Sequence, residues 1–398
     1  MQRFFYNLLI LLLIPLIFFK FSNGFFSRLR INKKFKKCIW LHCASLGEIN
    51  ALMPFINELK QQQIPLVIST FTASGFKKAK EIKGVNVIYL PLDIPFIIRG
   101  FLRKLNPKKI FIAETEIWPN LLNECFKQQI PIYLVNARLS EKSLNKYLRF
   151  APKFFLNDIK NITHIYAQSE VNKQRFLKLG VNKNKLTNMG NLKFNISVDK
   201  EKELSIKKQY ENINRTILVM GSVRTKEVDF LIDTFKQLKE FLPDLLLIIA
   251  PRHLQVCELI IKIAYKKELS LSLRTDNKFI DEDILLLDTL GELQPIYSIA
   301  DVVFIGGSLF KQYGGHNVIE AALFKAPVVV GKYMDNSLEI VELFKEKEAI
   351  IQVKQNELMA ELLVLLKDKT KCKQINTNAK QVIADNKADF SKLIDNLL

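Results

Sequence analysis

The chain has 398 residues, 48% of them hydrophobic, with 59 Lys+Arg against 40 Asp+Glu and hence a formal charge of +19. That length suits two domains, while 29 Phe and abundant Ile and Leu argue against intrinsic disorder, and a single long uncharged stretch argues against a polytopic membrane protein. The positive excess calls for an anionic partner, with nucleic acid, a phosphorylated ligand and an acidic membrane surface all admissible.

The first predicted element is the run Phe4 to Phe19, sixteen positions without a charge, in which Pro15 would kink a helix. It is shorter than the roughly 20 apolar residues of a perpendicular span, so it reads as a thin span or an in-plane anchor. No small-x-small cleavage site follows, so the segment is expected to be retained. Lys20, Arg28, Arg30, Lys33, Lys34, Lys36 and Lys37 follow it, a flank that places the body of the protein on the cytoplasmic side. The five cysteines, Cys38, Cys43, Cys125, Cys257 and Cys372, are odd in number and scattered, as in a reducing compartment.

From Lys37 onward short apolar runs alternate with amphipathic stretches. Strands are predicted at 38–43, 66–69, 87–90, 110–113, 132–135 and 164–167, and a helix at 49–59 carries Ile49, Leu52, Met53, Ile56 and Leu59 on one face. A polar stretch, 199–214, marks the domain boundary. The alternation then resumes with strands at 216–220, 245–250, 284–287, 302–305 and 327–330. Apolar strands separated by helices imply parallel sheets covered on both faces. The expected architecture is α/β: two doubly wound, Rossmann-like domains facing a cleft, with ligands at the C-terminal ends of the strands. Its parts are an anchor and basic flank at 1–36, a first domain at 37–198, a linker at 199–214 and a second domain at 215–398.

Several strand ends carry chemistry. Trp40 to Glu48 reads WLHCASLGE, a strand running through a small-residue turn into a helix, so Glu48 is either a general base or a first-turn glutamate favoured by the helix dipole. The dipole lowers a carboxylate's pKa and weakens it as a base, so burial or a neighbouring acid would have to compensate. Such acids exist in Ile110 to Asn120, IFIAETEIWPN, where alternation would put Glu114 and Glu116 on one side of a strand end. A carboxylate pair at a helix start is the competing reading. Asn136 to Ser140 (NARLS) ends another strand, and Gly190 to Asn195 (GNLKFN) brings Lys193 to the end of the first domain.

In the second half Arg252 follows an apolar strand directly, where a guanidinium can hold a phosphate through two parallel bonds. His253 beside it is an acid/base candidate or merely completes a loop bond. Thr289 to Glu292 (TLGE) is a turn before a helix, and Val302 to Ser308 (VVFIGGS) is a strand before a small-residue loop. Gly314 to Glu320 (GGHNVIE) resembles a capped helix start suited to phosphate, with Glu320 placed either for ribose hydroxyls or for a capping box. No P-loop and no dinucleotide fingerprint are present.

Taken in order, these segments resemble the 3-deoxy-D-manno-octulosonic acid (Kdo) transferases of lipopolysaccharide synthesis, which are membrane-associated GT-B glycosyltransferases. The resemblance implies inverting transfer of Kdo from CMP-Kdo to the lipid A precursor, lipid IVA, with no cofactor and no metal. It assigns Glu48 as general base, with Glu114 and Lys193 assisting the transition state. It assigns the CMP contacts to Pro251, Arg252, Leu290, Gly291, Glu292, Asn317, Val318, Ile319 and Glu320. It also implies a place on the cytoplasmic face of the inner membrane, with anionic lipids as partners and no nucleic acid. Three positions depart from the family pattern: Arg224 stands where many members have histidine, Leu290 where methionine is common, and Val318 where proline is. The alternatives are a GT-B enzyme using a UDP-sugar and a non-catalytic basic module on a membrane surface.

Overall fold

The computed structural model describes residues 2–20, 24–196, 198–276 and 281–394. The chain divides into two compact units, the first formed by residues 1–195 and 386–398 and the second by residues 196–385. This differs from the expected boundaries at both ends. The polar stretch taken as a linker forms a helix, Lys200–Gln209, whose Ile206 and the following Tyr210 are buried in the second unit. Its polar composition reflects a helix exposed along most of its surface and anchored at Ile206, rather than a tether.

The first unit is built on seven strands, β1 (Cys38–His42), β2 (Leu66–Thr70), β3 (Asn86–Tyr89), β4 (Pro107–Ala113), β5 (Ile132–Ala137), β6 (His164–Ala167) and β7 (Leu186–Asn188). Their order is β3-β2-β1-β4-β5-β6-β7, and every pairing is parallel. All residues of β1, β2 and β5 are buried, as a sheet with both faces covered requires. The helix after β1 spans Leu46–Gln61 and buries Ile49, Leu52, Phe55, Ile56 and Leu59 against one face of the sheet.

The second unit repeats the plan with β8 (Ile217–Val223), β9 (Leu246–Pro251), β10 (Leu271–Leu273), β11 (Ile284–Leu286), β12 (Val302–Ile305), β13 (Val328–Gly331) and β14 (Ile351–Val353). The order is β10-β11-β9-β8-β12-β13-β14, again wholly parallel. In each sheet the connections reverse direction at one point, between β1 and β4 in the first and between β8 and β12 in the second. Crevices form at such switch points, outside the carboxyl ends of the strands.

The N-terminal run folds as a helix, Gln2–Lys20, with Pro15 inside it. No helix among the described residues is long and apolar enough to cross a membrane. One face of this helix docks on the first unit. Arg3 pairs with Asp158 at 2.6 Å and donates to the Pro119 carbonyl at 3.0 Å. Tyr6 donates to Asp93 at 2.9 Å, Asn7 accepts from Asn120, and Ile10 and Ile14 pack on the core. Arg28, counted above in the basic flank, is instead buried, donating to the Leu90 and Phe71 carbonyls and lying over the Phe71 and Tyr89 rings.

Candidate active site

The switch point of the first unit gathers three of the singled-out residues. A cavity of about 210 Å³ is lined by Ser45, Glu48, Glu114, Asn136, Leu192 and Lys193, among others. Ser45 caps the helix Leu46–Gln61, its Oγ accepting from the Glu48 N–H at 3.4 Å. The Glu48 carboxylate returns to the cap, accepting from the Ser45 hydroxyl at 2.8 Å and from the Ala44 N–H at 2.7 Å. These reciprocal bonds between the cap and the first turn fix the carboxylate at the mouth of β1.

The electrostatics of Glu48 settle the tension between helix dipole and basicity. Burial pushes its pKa up to about 7, the Ser45 and Ala44 hydrogen bonds pull it down, and the charges of Glu114 and Glu116 push it up again. Burial is the largest of these. A carboxyl poised near neutrality is half ionised where it has to accept a proton, which suits general-base catalysis.

Glu114 already lies beyond β4, with φ 54°, and its N–H donates to the Val135 carbonyl at 2.8 Å. Strand alternation therefore does not extend to the pair, and the expectation that both glutamates share one side of a strand does not apply. Glu114 lines the cavity, whereas Glu116 accepts from the Trp118 indole at 3.1 Å and lies 4.0 Å from Nε2 of His42. His42 is fully buried on β1, with Nδ1 2.9 Å from Ser69 Oγ, and Nε2 has no hydrogen bond. Burial lowers its pKa to about 4, so the ring is neutral. Its signal in the sequence was a histidine inside an apolar strand directly before the small-residue turn.

Lys193 sits in a short 3-10 turn, Leu192–Phe194, whose N–H at position 193 is capped by the Asn191 side chain. Asn136, at φ 56°, accepts from the Leu192 N–H at 3.0 Å and so ties the end of β5 to the lysine turn. Residues from the C-terminal segment brace the other side: the Asn386 carbonyl accepts from the Asn191 N–H, and Asn195 exchanges two bonds with Ala388. A Cβ on Gly190, where φ is +85°, would meet the Lys387 carbonyl oxygen at 2.3 Å, which explains the glycine.

The second unit places its residues around the β8/β12 switch point. Arg252 directly follows β9 and is exposed, its N–H held by the Val223 carbonyl at 2.9 Å. Leu290 is 79% exposed and Gly291 adopts φ +84°, forming a bare loop tip. Glu292 turns inward, accepting from Arg274 at 3.0 Å and from the Thr289 hydroxyl, so the loop can offer a ligand its backbone but not this carboxylate. Val318 and Ile319 are fully buried and likewise present only backbone. Asn317 accepts from the Ile319 N–H at 3.1 Å and donates to Glu320 at 3.2 Å. The helix that follows is a single turn, Ile319–Ala322, so the expected dipole contribution there is small.

Sequence reasoning missed the residue that shapes this end. Glu227 is fully buried and accepts from four backbone N–H groups, those of Arg224 at 3.0 Å, Gly307 at 2.6 Å, and Ser308 and Leu309 at 3.0 Å each. It binds the loop after β8 to the loop after β12.

Known proteins place the chain. The model for 3-deoxy-D-manno-octulosonic-acid transferase matches residues 22–196, and that for group 1 glycosyl transferases matches residues 199–382. The 3-deoxy-D-manno-octulosonic acid transferase of Haemophilus influenzae is 32% identical over 90% of this chain and 86% of its own length. The chain belongs to the Kdo transferase family. It is a glycosyltransferase. The enzyme of the same name from Rickettsia felis is 32% identical over 95% of this chain and 82% of its own. A bifunctional glycosyltransferase/methyltransferase of Fusobacterium nucleatum is 34% identical, and this chain spans 55% of its length. Among solved structures, a glycosyltransferase from Rickettsia africae superposes with a TM-score of 0.58 at 14% identity, covering 92% of this chain and 97% of its own. That likeness concerns the fold.

Proposed function

We propose that this Kdo transferase moves Kdo from CMP-Kdo to the lipid A precursor with inversion, Glu48 acting as general base. The observation that carries the reading is the grouping of Glu48, Glu114 and Lys193 on one cavity, with burial raising the Glu48 pKa to about 7. A sugar hydroxyl ionises far above neutrality, so its proton must leave as the new bond forms, and a positioned carboxylate of matched pKa accepts it. Lys193, whose side chain has no hydrogen bond or ion pair among the described residues, supplies positive charge beside the reacting centre. On the donor side Arg252 takes the CMP phosphate as charge grows on the leaving group. Pro251, Leu290, Gly291, Glu292, Asn317, Val318 and Ile319 offer CMP mainly backbone groups, and Glu320 faces the ribose. Residue properties support this division, since Leu290 is bare while Val318 and Ile319 are buried.

The lipid acceptor requires a membrane nearby. The helix Gln2–Lys20 supports in-plane association with anionic lipid on the cytoplasmic face of the inner membrane, because Phe4, Phe5, Leu9, Leu12, Leu16 and Phe19 remain exposed on it. Arg30, Lys33, Lys34, Lys36 and Lys37 follow as exposed cations.

The test of the catalytic reading is Glu48→Gln. Turnover should fall by about 10²-fold or more while CMP-Kdo affinity stays near normal. Near-normal turnover would remove Glu48 from the role.

A further inference from the structure

The donor named above carries two anions, the phosphate that joins CMP to the sugar and the carboxylate of the sugar acid. Arg252 accounts for one. The loop after β8 carries a second guanidinium at the switch point, Arg224, half-buried beside the loop after β12. Its Nη1 lies 2.8 Å from His253 Nε2, and its guanidinium lies 5.2 Å from the centre of the Tyr313 ring. The floor between the loops is Gly307, at φ +71°. A Cβ there would meet the His316 ring at 2.8 Å and lie 3.7 Å from Arg224 Cγ. Both side chains therefore lie over one glycine, and the buried Glu227 carboxylate fixes the backbone of Arg224 and of Gly307 together.

A guanidinium only donates, so His253 Nε2 is the acceptor in its contact with Arg224. His316 is pushed down to about 4 by burial and by the charges of Arg252 and Arg224, so its ring is neutral at physiological pH. Its Nε2 is shielded from solvent and has no hydrogen-bond partner. The Arg224 Nε–H is also buried and unbonded. Two polar groups thus stand without partners above Gly307, next to a guanidinium whose charge no carboxylate neutralises: Arg224 forms no ion pair among the described residues.

We propose that Arg224, with His316 beside it, forms a second oxyanion subsite that takes the carboxylate of the donor sugar, separate from the phosphate site at Arg252. The assignment rests on the CMP-Kdo reading given above. A planar guanidinium matches a carboxylate through parallel hydrogen bonds. An arginine also holds its charge at every physiological pH, where an imidazole would not.

CMP-Kdo carries the sugar acid with its carboxylate and CMP carries neither, so the full-length protein is titrated with each. Arg224→Ala should raise the KM for CMP-Kdo about tenfold or more. The same variant should leave the dissociation constant of CMP within about twofold of wild type, since CMP lacks the carboxylate. Arg224→Lys should recover part of the loss, as a point charge without the planar fork. Arg252→Ala is the control and should weaken both ligands. Equal weakening of CMP and CMP-Kdo by Arg224→Ala would move Arg224 to the phosphate and overturn the proposal, as would no effect on either. If wild-type protein binds CMP but does not turn over CMP-Kdo, the donor reading itself has failed, and that is seen without any variant.

Discussion

At the residue scale the decisive group is Glu48, whose environment pulls in two directions. Its capping bonds favour the charged form and its burial opposes it, with burial stronger. Catalysis by the ionised form should therefore show an acid limb near pH 7 in kcat/KM. Ser45→Ala removes a bond that stabilises the carboxylate, so that limb should move to higher pH while activity on the alkaline plateau is retained in part. A limb that stays in place would separate the cap from the base. The same shift has a stability consequence of fixed sign. A carboxyl whose folded pKa is raised binds its proton more tightly in the folded state, so its contribution is complete below the ordinary value of 4.5 and declines as pH rises through about 7. Glu48→Gln removes that decline, which makes gain of thermal stability above pH 7 an expected companion of lost activity.

At the element scale the sequence was most legible where strands are long and central, and least where they are short and peripheral. β9, β12 and β13 read as continuous apolar runs because both faces of the sheet are covered. β7, β10 and β14 were missed, being three residues each, with Thr, Ser or Gln at the centre and a place at a sheet edge. The candidate site motifs were legible because they sit at strand ends. Glu227 was not, because nothing local to it announces the three N–H groups that converge on it from a loop some 80 residues later. The helix Gln2–Lys20 was legible as an apolar segment but not as a docked one, since Arg3, Tyr6 and Asn7 find partners far along the chain. Its docking leaves Phe5, Leu9, Leu12 and Leu16 outward. Replacing these four by Ser should abolish co-sedimentation with anionic vesicles while leaving CMP binding intact. Retained sedimentation would place the membrane contact elsewhere.

At the scale of the whole molecule the charge of +19 divides by setting: Arg28 is buried in the core, Arg224 and Arg252 stand on the loops after β8 and β9, and Arg30, Lys33, Lys34, Lys36 and Lys37 are exposed after the first helix. The chain path divides the molecule just as unevenly. Removing residues 386–398 would strip the lysine turn of its bonds from Asn386 and Ala388, so turnover should fall sharply while CMP binding by residues 196–385 persists. Full turnover by the shortened chain would show that the turn holds without its brace. Because the first unit resumes at Asn386 only after the second is complete, the second unit is an insertion. Its two ends leave from points pinned together by the bonds between Asn195 and Ala388. Such an insertion can be exchanged at one locus: a short loop joining Asn195 to Asn386 would yield the first unit alone, and a foreign second unit could enter through the same gap without touching Glu48.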